Sequence, residues 1–277
     1  MRTGLRSIAA LAISLLLAAN VGAWGASAER LIASKAFDTL PPDLRAFYDA
    51  NRDRITAMVT DPMDSLANNP KELRYHVIYL NRYQPFPFDS LPRTYKKAVG
   101  KYGLSKIEAN GVLPWQIGVY SAKLTDAFKQ RNWDDVRLNS ALLAYYVAEA
   151  HDPFNTTDNT EGQRTDQLGV NNRFGTNLVD RFSLFFPMHA NDAYYINDPT
   201  DNAFEDCLSA HSWLQIVLLA DRRSRAGLPD YTDEYYDRFY NQVGAVLIRQ
   251  LTDAATSVGA YWLTAWTNAG KPSLPQH

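Results

Sequence analysis

The chain has 277 residues, of which 46% are apolar, 12% aromatic and 21% charged, with 28 Lys+Arg against 30 Asp+Glu. That balance suits one or two globular domains and excludes a chain disordered throughout. The net charge of −2 is scattered without a basic stripe, which argues against duplex DNA as a partner; one cysteine, Cys207, excludes an intrachain disulfide framework and any multi-thiolate zinc site.

In chain order, residues 1–23 read as a secretory signal. Arg2 and Arg6 supply the basic start, and Ile8 to Ala19 is an apolar run too short for a comfortable membrane span. Cleavage reads after Ala23, leaving Trp24 first, or after Ala28, leaving Glu29 first. The expected location is exported, periplasmic or secreted, with residues 24–277 as one domain and no transmembrane helix after cleavage. Helices are predicted over Pro42–Asn51, Leu91–Tyr102, Pro114–Arg131 and Asp134–His151, the last stopped by Pro153. Ala203–Arg225 follows, ended near Gly227-Leu228-Pro229. The longest is Thr232–Asn268, where Thr232 can cap and Phe239, Val243, Leu247, Leu251, Ala255, Val258, Trp262 and Trp266 recur at helical spacing. Tyr75–Leu80 reads as a short strand or, equally, a buried irregular segment. Asp152–Gly169 reads as a long polar loop of the kind that often carries function. The fold class is all-α: a single-domain multi-helix bundle with a long C-terminal helix.

No nucleophile elbow, P-loop, H-E-x-x-H or dinucleotide fingerprint is present. Tyr145 and Glu149 lie four apart, so a helix puts them on one face. Glu149 sits in the apolar stretch Ala141–Ala150, where a carboxyl group either ends the helix in solvent or is buried and needs a partner. Of five histidines, His151 suits a helix C-terminus, His189 lies in a loop, His211 reads as a hydrogen-bonded core residue, and His277 ends the chain. His76 remains.

The stretch Ala144-Tyr145-Tyr146-Val147-Ala148-Glu149-Ala150-His151-Asp152-Pro153-Phe154-Asn155-Thr156-Thr157 resembles H-Y-V-x-D-x-x-Q-P-x-H-x-x, the signature of the zinc-dependent phospholipase C and fungal single-strand nuclease superfamily. Collinear segments carry the same resemblance: Trp24-Gly25 through Glu29-Arg30, Asp61-Pro62, Tyr75-His76-Val77-Ile78, Leu113-Pro114-Trp115, Gly169 to Gly175, and the tail from Ala220 to Leu274. The resemblance implies an all-α fold and three zinc ions in a cleft that activate water against a phosphodiester. It also implies that this chain has lost most of the ligands. One zinc would use the positions of Asp61, His76, Tyr145 and Glu149. A second would use Asn155, Asn171 and Gly175. The third would use Trp24, Glu29 and the bridging Glu149. Neutral amides and a tyrosine are poor zinc donors, so a full trinuclear set is not expected.

The leading expectation is therefore a pseudoenzyme without zinc that binds a ligand or partner in the former active-site cleft. The alternative is a remodelled phosphodiester hydrolase, acting on phospholipid or single-stranded nucleic acid. It would hold one divalent ion (Ca, Mg, Mn or Zn) at Asp61, His76 and Glu149, with Glu149 or Asp61 orienting water. A third reading is a membrane-associated protein retained through residues 8–22. Tyr79, Tyr83, Phe86 and Phe154 are candidates to stack a base or pack a headgroup.

Overall fold

The computed structural model describes residues 24–275; the signal read over 1–23, and His277, lie outside them. Helices α1 (Ala26–Ala36), α2 (Pro42–Ala50), α3 (Arg52–Met58) and α4 (Asp61–Asn68) come first. They are followed by α5 (Tyr95–Tyr102), α6 (Leu104–Ala109), α7 (Leu113–Gln130) and α8 (Trp133–Ala150). Short α9 (Val170–Asn172) passes through a π-turn, Arg173–Asn177, into α10 (Leu178–Phe182). Then come α11 (Pro199–His211), α12 (Leu214–Arg225) and α13 (Asp233–Asn268). There is no strand among the described residues, and none of their helices is long and apolar enough to cross a membrane.

The bundle is built around α8. From Leu143 to Ala150 every residue is buried, so this helix is surrounded rather than one-faced. Asn132 starts it by accepting from the Asp135 N–H at 3.4 Å. Helices α1, α3, α7 and α13 pack on it. Its backbone carbonyls tie in distant parts of the chain: Trp24 Nε1 donates to Ala148 O (2.8 Å) and Trp262 Nε1 to Ser140 O (3.0 Å). Gln250 Nε2 donates to His151 O just beyond its end, at 2.7 Å. Tyr48 stacks on Trp262 with centroids 4.5 Å apart and shares a 2.8 Å hydrogen bond with Ser140 Oγ. Apolar area removed from water drives this closure, and the indole N–H groups are satisfied inside it.

The region Ala203–Arg225, predicted as one helix, is two. The chain breaks at Ser212-Trp213, where Ser212 Oγ turns back onto Ser209 O at 2.6 Å. Tyr75–Leu80 takes the irregular alternative. Ile78 N bonds Asn155 O (2.8 Å), Tyr79 N bonds Asn110 O (2.7 Å), and Val77 O accepts from Leu113 N (3.2 Å). The segment thus stitches α7 to the loop after α8 and carries His76 inward. That loop is no free lid: Pro153 through Asn159 are all buried. Asp158 is bound by Asn81 at 2.8 Å and paired with Arg82 and Arg164.

Helix α13 crosses α1 at Gly259. A Cβ there would stand 1.9 Å from Thr39 Oγ1. Gly259→Ala is therefore expected to destabilise by about 1–3 kcal/mol from overpacking, partly offset by the ~1 kcal/mol better helix propensity of alanine. The double variant Gly259→Ala/Thr39→Ala should recover most of the loss in urea unfolding, since Thr39 is the side chain in the way.

Candidate functional site

Four elements converge on one point. Helix α1 brings Glu29, α8 brings Tyr145 and Glu149 on one face, the irregular segment brings His76, and the turn after α8 brings Asn155. His76 Nδ1 is 2.9 Å from the Tyr145 hydroxyl and 3.7 Å from Glu149 Oε2. Asn155 Nδ2 donates to Glu149 Oε2 at 2.9 Å and to Glu149 O at 3.1 Å. Glu29 lies against Glu149 within hydrogen-bonding reach. Glu29, His76, Tyr145, Glu149 and Asn155 are all at most 4% exposed. Glu149 is thus buried with partners, the second of the two readings its sequence position left open.

Burial pushes the Glu29 carboxyl well above its ordinary pKa, and the neighbouring Glu149 pushes it further in the same direction. The same two causes raise the Tyr145 hydroxyl. Asp152, one turn of chain beyond, is raised by burial against the opposing pull of its hydrogen bond from the Phe154 N–H. Glu29 Oε1, Glu149 Oε1 and His76 Nε2 have no protein hydrogen-bond partner. A neutral Glu29 spares the core one of two adjacent charges that would face each other there.

Other expected site residues stand further out. Asp61 is exposed at the first turn of α4. The resemblance places it beside His76 and Glu149, but the fold leaves it at the surface while those two are buried. Asn171 is buried on α9 and turned to Glu161. Gly175 lies buried in the π-turn, its carbonyl accepting from Gly25 N at 3.4 Å. Trp24 is fully buried with its ring 6.0 Å from that of Phe174. Of the aromatic candidates, Tyr83 and Phe154 are core residues, and Phe86 is 64% exposed.

Among the described residues no group of three or more His, Cys, Asp or Glu is arranged to hold a metal ion. The donor chemistry fits a zinc cluster poorly as well. Of the positions that the resemblance assigns to zinc ligands, Asn155 points an amide N–H at Glu149, the Tyr145 hydroxyl takes up His76 Nδ1, and Asp61 is at the surface.

A cavity of about 690 Å³ opens to the surface nearby, between Tyr75, Tyr95, Trp115 and the start of α11. Tyr146 links it to the buried cluster. Its hydroxyl reaches Gln116 in the cavity wall, and its ring meets that of His76 edge-on at 5.6 Å. Sequence reasoning did not find this cavity. Its one advance signal is the Leu113-Pro114-Trp115 turn, which starts α7 and plants Trp115 in the wall. No protein-family model matches the chain, and no curated protein matches it.

Proposed function

We propose that this is an exported, non-hydrolytic member of the phospholipase C and single-strand nuclease superfamily. Its former metal centre works as a closed, zinc-free hydrogen-bond network, and its role is to bind a ligand in the cleft alongside. The observation that carries this reading is Glu149. At the position of the family's bridging carboxylate it is wholly buried, held by Asn155 and flanked by Glu29. A phosphodiester has no path to a group with no exposed surface, and a metal-activated water needs such a path. The network instead fixes α1, α8 and the loop after α8 as a rigid wall behind the cavity.

The competing one-metal hydrolase needs Asp61 to leave the surface and join His76 and Glu149. Elemental analysis of the purified full chain, with assays on phospholipid vesicles and single-stranded DNA, separates the two. The expected result is zinc well below one ion per chain and no turnover with added Zn, Mn, Mg or Ca. Stoichiometric zinc together with turnover lost in Glu149→Ala overturns the proposal.

A further inference from the structure

We propose that the cavity beside the buried cluster is a binding site for an organic monocation: a small ammonium compound with an apolar or aromatic body. The inference rests on the binding role proposed above and names the class of ligand. The volume suits a small molecule. The walls supply three rings; the Arg74 guanidinium already lies over Tyr75 at 4.8 Å, which leaves Tyr95 and Trp115 to a ligand. Trp115 is fixed because its indole N–H is spent on Arg93 O at 2.6 Å, and Tyr95 meets it edge-on at 5.3 Å and 71°. Tyr95 remains 38% exposed, an available π surface at the rim.

The charges decide between a cation and an anion. Two arginines border the cavity, but both are spent. Arg93 gives one terminal nitrogen to Asp201 at 2.6 Å and the other to Glu205 at 2.5 Å. Arg74 gives one to Glu108 at 3.2 Å and the other to the Tyr75 hydroxyl at 2.9 Å. The remaining Arg74 nitrogen, Nε, is buried out of reach of a ligand. An anion therefore meets guanidinium groups whose terminal nitrogens already face carboxylate or hydroxyl partners. Carboxylate oxygens, by contrast, are left over. Arg74 engages only Oε1 of Glu108, Arg93 only Oδ1 of Asp201, and the α11 cap uses only Oδ1 of Asp198. Three carboxylates against two neutralised arginines leave the lining with one net negative charge. Rings plus surplus carboxylate oxygens beside the apolar side chains of Val112 and Ala122 are the surroundings in which an ammonium ion is stabilised.

The test is calorimetric titration of the full chain with phenethylammonium, its neutral counterpart phenethyl alcohol and its anionic counterpart phenylacetate. Saturable binding of the ammonium compound, tighter than the other two, is expected. Tyr95→Ala should weaken it roughly two- to tenfold, the range for one cation–π partner. Glu108→Gln, which also frees Arg74, should shift preference toward phenylacetate. No saturable binding, equal binding of all three probes, or indifference to Tyr95→Ala overturns the proposal. The same preparation assayed for zinc and turnover keeps the two readings apart. Cation binding with turnover sinks only the non-hydrolytic reading, and absent binding with absent turnover sinks only the cation site.

Discussion

Asp221→Ala is expected to lower the unfolding free energy by about 3–5 kcal/mol, the usual cost of removing one partner from a buried ion pair. Asp221 is 1% exposed. Its Oδ1 accepts from Arg173 Nε (3.0 Å), Arg173 Nη2 (2.9 Å) and the Tyr235 hydroxyl (2.5 Å), while Oδ2 accepts from Gln167 Nε2 at 2.6 Å. The alanine variant strands a buried guanidinium and removes the acceptor for two more donors. Arg173 also holds Leu168 O at 2.8 Å and Gln167 O at 3.2 Å, so the end of the long polar loop is pinned to α12 and α13 through this one carboxylate. Asp221→Leu/Arg173→Met, which removes both charges, should lose much less than Asp221→Ala. Urea unfolding of the two variants measures the difference. A loss under about 1 kcal/mol for Asp221→Ala would mean that the pair behaves as a surface one.

The second large effect is a loss of stability as pH rises. Glu29 and Asp152 both have folded-state pKa values raised, chiefly by burial. Below the ordinary carboxyl range both are protonated in the folded and the unfolded chain, and the fold has its full stability. Above that range the unfolded chain releases both protons while the folded chain retains them. Unfolding free energy then falls by about 1.4 kcal/mol per pH unit for each group, until its folded pKa is passed. His211 acts in the opposite sense. Burial holds its pKa below the usual value against the pull of Thr156, so its contribution is lost as pH falls. It is one group against two, and the Glu29→Gln variant isolates the carboxyl effect. Glutamine reproduces the neutral acid beside Glu149, so the variant should match the wild type near pH 4.5 and exceed it increasingly toward pH 7.5. Urea midpoints across that range are the measurement, and a variant that tracks the wild type throughout refutes the account. A bound divalent metal demands deprotonated carboxylates and makes stability rise with pH. The slope therefore bears on the hydrolase reading as well.

The long helices were legible because their cores repeat at helical spacing and their ends carry stop signals. Asp134–His151 is observed as Trp133–Ala150, and Thr232–Asn268 as Asp233–Asn268. Helix α1 was not, because Ala26-Ser27-Ala28 offers small residues that read equally as a cleavage site. A cut after Ala28 would remove Trp24, whose ring is fully buried. The break at Ser212-Trp213 leaves no mark in composition, since both halves are amphipathic and the turn is made by a serine hydroxyl. At the site, the one-face relation of Tyr145 and Glu149 followed from spacing alone. The meeting of His76 with them did not: it depends on backbone bonds from Ile78 and Tyr79 to residues far along the chain. Asp61 sat beside them in the resemblance, yet its helix start faces solvent. Spacing along a chain says nothing about which way a short helix is turned.

Helix α1 packs directly on α13, so the two ends of the described chain close the core on each other. The Phe37 ring lies 5.2 Å from that of Trp262, so during synthesis it lacks this cover until α13 has emerged. Such distant contacts make core closure a late and slow event in folding. Anything that frays α13 therefore uncovers α1 as well.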